Sequence, residues 1–112
     1  MSKKDLLTAL SEIGLKEKEA VFYLASLELG PSSVLQLAKT SKLKRTTIYS
    51  VIDSLLAKGL MIEEHRGFKK LYSPERPEKL QSILQNKNRL LEEMLPEFAA
   101  LYNFKEAESS IK

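Results

Sequence analysis

The stretch KRTTIYSVIDSLLAKGL, residues 44–60, decides the fold of this chain. It begins with two cationic residues and continues with apolar residues that would form a stripe along one side of a helix. Its apolar residues recur at the three- and four-residue spacing of a helix that packs on one side. The helix begins with Lys44 and Arg45, although acidic residues suit the positive end of a helix dipole better. An external anion would complement such a start. The residues of the stripe are Ile48, Val51, Ile52 and Leu55.

The segments around this helix predict a winged helix-turn-helix. Ser33 and Gln36 have the spacing of a capping box, which indicates the start of a short helix. After the helix of residues 44–60, LMIEEH and FKKLYS are typical of two short strands with a bend at Arg66-Gly67. We therefore predict a mainly α fold with a small β-hairpin, in which residues 1–75 form the winged helix-turn-helix domain. The earlier helices are predicted over residues 6–13, 16–29 and about 34–39.

The remaining sequence predicts a long C-terminal helix. From Pro77 onward, residues at alternating intervals of four and three form the seam of a coiled coil. Pro96 is expected to kink this helix or to restart it. We predict a dimerisation helix over residues 76–106 and a disordered tail over 107–112; the alternative is a helix that folds back on the winged domain. The seam consists of Leu80, Leu84, Lys87, Leu91, Met94, Phe98 and Leu101.

Composition and charge narrow the classes of function. The net charge is +3, and the stretch of residues 39–70 holds eight Lys or Arg against three Asp or Glu. Such a local basic excess is expected of a nucleic-acid binder. The chain has no cysteine and one histidine, His65, which disfavours thiolate metal sites and histidine-based catalysis. It has no membrane span or secretory signal, no glycine loop for phosphate and no cluster of catalytic groups, so we expect a cytoplasmic protein without a cofactor that is not an enzyme.

Ten residues are candidates for contact with double-stranded DNA. An arginine in the first turn of a recognition helix can bind guanine through two hydrogen bonds, whereas threonine, serine and tyrosine hydroxyls reach bases or phosphates. Lysines in the hairpin can hold phosphate or the minor groove. Alternatively, a threonine only caps the helix, the tyrosine packs on the hairpin, and the hairpin charges only prevent edge pairing. The candidates are Lys42, Lys44, Arg45, Thr46, Thr47, Tyr49, Ser50, Arg66, Lys69 and Lys70.

Several motifs together resemble the TrmB-like transcriptional regulators. They are the apolar helix from Gly14 to Leu27, the Gly-Pro pair after it, R-x-T-x-Y from Arg45 to Tyr49, and K-G-L from Lys58 to Leu60. The match continues weakly through KKLYSPERPEKL and LPEFAALYN. The resemblance implies a homodimeric regulator in which Arg45, Thr46, Thr47 and Tyr49 face operator DNA.

The chain departs from this family at two points. Lys44 stands where a small residue or proline often precedes the arginine, and the sequence ends where longer relatives carry a sugar-binding domain. The resemblance therefore leaves any small-molecule effector unknown. A winged-helix module that binds protein in a transcription or scaffold complex is the alternative function, although it would not need basic residues in two neighbouring loops.

Overall fold

The structure is a computed structural model that describes residues 1–110 and, within them, contains five α-helices and one antiparallel hairpin. The element order is that of the predicted winged helix-turn-helix with a long C-terminal helix. No helix among these residues is long and apolar enough to cross a membrane. The elements are α1 (Lys3–Ile13), α2 (Glu17–Leu29), α3 (Val34–Ser41), α4 (Arg45–Ala57), β1 (Met61–Arg66), β2 (Lys69–Pro74), a 3-10 turn (Pro77–Lys79) and α5 (Leu80–Ser110).

The core of the winged domain lies around α2, which is apolar on most of its sides. Phe22 and Tyr23 of this helix are fully buried, and Leu37 of α3 packs in the same cluster. All four residues of the predicted stripe on α4 are buried as well. Burial of each such side chain stabilises the fold by about 1.5–3 kcal/mol relative to its exposure. The opposite side of α4 is thereby left facing solvent.

The hairpin is tied to the helix-turn-helix by a pair of backbone hydrogen bonds. Ser32, just before α3, forms an isolated bridge with Tyr72 of β2, with backbone N···O distances of 2.8 and 2.9 Å. The turn of the hairpin is Gly67-Phe68, since Arg66 pairs with Lys69 across it. The predicted bend at Arg66-Gly67 was thus displaced by one residue. Gly67 takes a φ of 64°, which suits glycine at the first position of a two-residue turn.

Helix α5 begins against the winged domain and then leaves it. Leu80 and Ile83 pack on the core, and Lys87 Nζ donates a hydrogen bond to the carbonyl oxygen of Ile13 at 3.2 Å. Leu80 and Lys87, two positions of the predicted seam, therefore contact their own chain. From residue 84 through residue 109 every residue of the helix is exposed.

Two expectations about α5 differ from the structure. The helix is continuous through Pro96, so the predicted restart is wrong, whereas the predicted kink stays a prediction. Proline removes the hydrogen bond to the carbonyl of Glu92, and on an exposed helix water can satisfy that carbonyl. The helix also continues to Ser110, whereas a tail was predicted from residue 107, because Lys105, Glu106 and Ala107 are good helix formers. Residues 111–112 of that tail lie outside the described residues.

Candidate nucleic-acid interface

The start of α4 lacks the side-chain cap that α1 and α3 have. Lys44 occupies the N-cap position, no side chain accepts a hydrogen bond there, and the first turn holds no acidic residue. In contrast, α1 and α3 both begin with a serine and a complete capping box. The orphan backbone N–H groups of α4 and its positive dipole end are therefore open to an external acceptor.

Cationic and hydroxyl side chains surround this open helix end. Lys44, Arg45 and Thr46 are exposed, and Tyr49 one turn later is 49% exposed. Within residues 1–110, neither Lys44 nor Arg45 is within ion-pair distance of a carboxylate. An anion that approached α4 would meet two uncompensated positive charges.

The two threonines do not cap the helix. No side-chain cap hydrogen bond exists at this end, although the backbone N–H of Thr47 donates to the Lys44 carbonyl at 2.9 Å. Ser50 Oγ donates to the carbonyl of Thr47 at 2.8 Å, so its proton is already engaged and its lone pairs remain as acceptors. Thr46 thus keeps its hydroxyl available as a donor.

The turn before α4 is tight and places another lysine at its apex. Lys42 ends α3 with a φ of 61°, the one non-glycine residue with positive φ in residues 1–110. Its backbone N–H donates to the carbonyl of Ala38 at 2.9 Å. A β-carbon in this left-handed conformation costs about 1–2 kcal/mol. Asparagine or glycine adopts this conformation more readily, so the conformation of the turn does not account for a lysine at position 42.

The three cations predicted in the hairpin are not equivalent. Lys70 Nζ pairs with Glu63 at 2.8 Å and lies 5.9 Å from the centre of the Tyr72 ring; the hydrogen bond with Glu63 raises the pKa of Lys70. Arg66 is paired with Glu64 at 3.3 Å. Lys69 has no carboxylate within ion-pair distance in the part of the chain that the structure describes. Lys69 is consequently the wing cation most available to an external anion.

A buried polar cluster that the sequence reasoning missed joins α4 to α2. Glu19 is only 2% exposed, and it accepts hydrogen bonds from the hydroxyl of Ser54 and, at 2.7 Å, from the ammonium of Lys58. Its carboxylate also accepts from the backbone N–H of Lys16 at 2.7 Å. Burial acts to raise the pKa of Glu19, but the hydrogen bonds from Lys58, Ser54 and Lys16 outweigh it and hold the pKa below the usual 4.5.

This cluster holds α4 in place from its C-terminal half. Two of its partners, Ser54 and Lys58, lie on α4 or directly after it, and Glu19 lies in the first turn of the core helix. The signal in the sequence was an acidic residue three positions after Lys16, at the spacing of a capping box. That spacing predicts the contact with Lys16 and gives no information about the contact with α4.

A groove beside this cluster brings two further lysines towards α4. The groove has a volume of about 610 Å³ and lies between the start of α2 and the exposed side of α4. Lys16, Glu17, Lys18 and Glu19 line one side, and the other side includes Thr46, Thr47 and Ser50. The sequence patterns assign no role to these two lysines. Because Glu17 and Glu19 line the same side, these lysines add no net positive charge to the groove.

Known proteins similar in sequence are transcriptional regulators. A family model described as "Sugar-specific transcriptional regulator TrmB" matches residues 10–78. The chain is 35% identical over 103 residues to the HTH-type sugar sensing transcriptional regulator TrmBL1 of Pyrococcus furiosus. This match covers 91% of the chain and 30% of the relative, so the chain spans less than a third of the length of that protein.

Two solved structures share this fold with at least 25% sequence identity. TrmBL2, described as an archaeal chromatin protein with a novel mode of DNA binding, matches with a TM-score of 0.76 and 26% identity, over 98% of this chain and 43% of its own. The ST1889 protein of Sulfolobus tokodaii matches with a TM-score of 0.58 and 25% identity, over 80% of this chain and 91% of its own.

A MarR family transcriptional regulator from Silicibacter pomeroyi has a TM-score of 0.58 at 20% identity, over 96% of this chain and 77% of its own, which supports the fold alone. These matches confirm the predicted winged-helix fold. The similar proteins are regulators or DNA-binding proteins rather than enzymes, as predicted.

Proposed function

The chain belongs to the TrmB family of transcriptional regulators, and on that premise we propose that it binds double-stranded DNA as a homodimer. The N-terminal half of α4 would enter the major groove, and the hairpin would hold the adjacent backbone. Because the chain spans less than a third of the TrmBL1 sequence, sugar sensing is not part of this proposal.

The observation that carries the proposal is the open start of α4. Its N-cap is a lysine, its first turn has no acidic residue, and its first side chain is an unpaired arginine. A protein that used α4 only as a scaffold would gain about 0.5–2 kcal/mol from a serine or aspartate at that position. A DNA phosphate would supply the missing acceptor and the missing negative charge together.

Individual roles follow from position on α4. Arg45 lies in the first turn and Tyr49 one turn later on the same face, so both would reach into the major groove. Thr46 and Thr47 would contact bases or phosphates beside Arg45, with Ser50 as an acceptor. Lys42 and Lys44 would bind the phosphates that flank the helix. In the hairpin, Lys69 would be the main phosphate contact. Arg66 and Lys70 could contact phosphate only if they broke their ion pairs with Glu64 and Glu63, which costs free energy.

The apolar face of α5 supports the homodimer. Five seam positions from Leu84 onward are between 41% and 70% exposed, which leaves a long apolar stripe uncovered. Monomeric proteins rarely expose contiguous apolar surface of this extent, and a two-fold axis would let two copies cover each other. The proposed contact excludes Leu80 and Lys87, which their own chain occupies. The positions that remain are Leu84, Leu91, Met94, Phe98 and Leu101.

The DNA part of the proposal is tested by a titration across salt concentrations. If a dimer neutralises about 6–10 phosphates, affinity for duplex DNA falls by roughly 10³ to 10⁵ between about 50 and 200 mM salt. Arg89→Ala is the matched control for variants of α4, because Arg89 is an exposed arginine on α5 on the side opposite the seam. A flat salt response, or no binding at low salt, would instead support the protein-binding module.

The homodimer is tested by placing charge in the seam. Leu91→Asp together with Met94→Asp would put four carboxylates into the interface of a dimer, and light scattering should then give the mass of a monomer. Asn86→Asp together with Arg89→Asp is the control, since it adds the same number of aspartates on the other side of α5. A wild-type protein that is already monomeric at micromolar concentration would contradict the proposal.

A further inference from the structure

A phenylalanine stands at the tip of the hairpin with nothing around it. Phe68 is the second residue of the two-residue turn, and its relative exposure is 110%, the largest among the apolar residues that the structure describes. A side chain in this position contributes no buried apolar area to the fold. With glycine first and Phe68 at negative φ, the turn matches a type that places no apolar requirement on its second position. The fold therefore gives no reason for an aromatic residue there.

Basic residues lie nearer to the tip of the hairpin than acidic residues do. Arg66 pairs directly opposite Lys69, and His65 pairs directly opposite Lys70, whereas the acidic residues of β1 lie further from the turn. Arg66 and Lys69 are cations directly opposite each other, which destabilises a hairpin, and the pairing of Arg66 with Glu64 at 3.3 Å offsets this only in part. The arrangement becomes favourable when an anion lies against the tip. Phe68 is thus an apolar side chain directly beside Lys69, the cation of the hairpin that is most available to an external anion.

We infer that Phe68 enters the minor groove of bound DNA and wedges between two base pairs, while Lys69 and Arg66 contact the phosphates on either side. The inference rests on the proposed DNA-binding function and adds a residue that opens the base stack. Apolar wedges of this kind unstack a base step and kink the duplex by about 20–90°. Double-stranded DNA is the ligand that offers both a stack for the ring and flanking phosphates for the cations.

Geometry and charge favour DNA over a second copy of the chain at this tip. The minor groove is only about 6 Å wide, so a narrow turn of two residues can present a single side chain to its floor. If a second copy met this tip through its own hairpin or through the start of its α4, it would bring further cations to Arg66 and Lys69. The wedge also implies a sequence preference, because pyrimidine–purine steps such as TA unstack most easily.

The test compares the wild-type protein with Phe68→Ala and Phe68→Trp on duplexes that carry a fluorescent adenine analogue at successive positions under the wing. Unstacking by the wild type should brighten the analogue at one step, and Phe68→Ala should abolish this signal and weaken binding by about tenfold to a hundredfold. Phe68→Trp should retain both. Leu27→Ala, at an exposed apolar position on α2, is the control that should change neither.

The outcomes separate this inference from the function on which it rests. A wild type that binds no duplex contradicts DNA binding itself. If the wild type binds but Phe68→Ala binds equally well and no position of the analogue brightens, the wedge alone is wrong. A change in molecular mass for Phe68→Ala in light scattering would show that Phe68 contacts a second copy, and this would also overturn the wedge. Phe68 is fully exposed, so the variant is expected to keep the circular dichroism spectrum and stability of the wild type.

Discussion

Helices α3 and α4 are neighbours in the chain, yet they begin in opposite ways. At the start of α3, Ser33 Oγ accepts from the N–H of Gln36 at 3.2 Å, and the Gln36 side chain accepts from the N–H of Ser33 at 3.0 Å. At the start of α4, Lys44 provides no acceptor and adds positive charge. The first helix end is closed by the protein itself, and the second is left open for a ligand. The difference separates residues that stabilise a helix from residues that are proposed to bind DNA.

The two helices also differ in where they are anchored. The local cap secures α3 at its start, whereas α4 is secured by its buried stripe and by Ser54 and Lys58, which bind Glu19. The anchor of α4 thus lies at the end away from the turn that is proposed to face DNA. This arrangement holds the helix in a defined position without using the groups that DNA would contact.

The largest effect is expected when α4 is given the kind of start that α3 has. Lys44→Asp would supply an acceptor and a negative charge in cis, so DNA affinity should fall by about 10² to 10³ because a carboxylate replaces a cation near phosphate. The same change should raise the free energy of unfolding by about 1 kcal/mol. DNA titration and thermal unfolding measure the two effects, and Lys44→Ala is the control. An unchanged affinity would mean that this helix end does not face phosphate.

The next largest effect is expected at the anchor of α4. Glu19→Ala would remove the buried acceptor that Ser54, Lys58 and Lys16 share, and this should lower the free energy of unfolding by about 3 kcal/mol. Glu19→Gln keeps an acceptor of the same size and should cost less. Urea unfolding provides the measurement. If both variants are as stable as the wild type, the cluster does not hold α4.

Arg45 tests whether the open end of α4 reads bases or only attracts phosphate. Arg45→Ala should cost about 1–3 kcal/mol on the preferred operator and much less on a scrambled duplex, because a base contact is lost. Lys69→Ala should weaken both duplexes alike and lower the salt slope by about one. Titrations of both variants at several salt concentrations give these values. Equal loss on both duplexes for Arg45→Ala would make Arg45 a phosphate contact and shift base reading to Thr46, Thr47 or Ser50.

The closed end of α3 should behave in the opposite manner. Ser33→Ala should lower the free energy of unfolding by about 1 kcal/mol and leave DNA affinity per folded molecule nearly unchanged. Thermal unfolding and a DNA titration well below the melting temperature measure the two quantities. If the free energy of DNA binding fell by more than the free energy of unfolding, the start of α3 would be part of the interface. The contrast between the two helices would then be wrong.

The smallest effect is expected in the pH dependence of stability. Because the pKa of Glu19 is lowered in the folded state, its contribution is fully present above its unfolded value near 4.5 and is lost as the pH falls through the lower folded value. Burial opposes the hydrogen bonds, so the dependence should be shallow. Urea unfolding at pH 3–6 measures it, and Glu19→Gln should flatten it. A stability that rises as the pH falls through this window would contradict the assignment.

The sequence by itself determined the elements whose signals are local. The stripe of α4 and the capping box of α3 depend on residues three or four positions apart, and both appear in the structure as predicted. The cationic start of α4 could be found for the same reason. The turn of the hairpin was misplaced by one residue because Phe68 suits a strand by composition, whereas the backbone needs Gly67 at the first position of the turn. The wing-tip phenylalanine was missed for this reason.

Only the tertiary structure decided which of these side chains are free. Lys69 and Lys70 are equivalent by sequence, yet only Lys70 meets a carboxylate, because the register of the hairpin brings Glu63 opposite Tyr72 and next to Lys70. The anchor of Glu19 joins residues 35 and 39 positions apart, and the contact between Lys87 and Ile13 spans 74. A sequence pattern with a period of two to four residues cannot indicate contacts over such separations. They exist only after burial of the apolar faces has packed the helices together, and they depend on where that packing leaves each side chain.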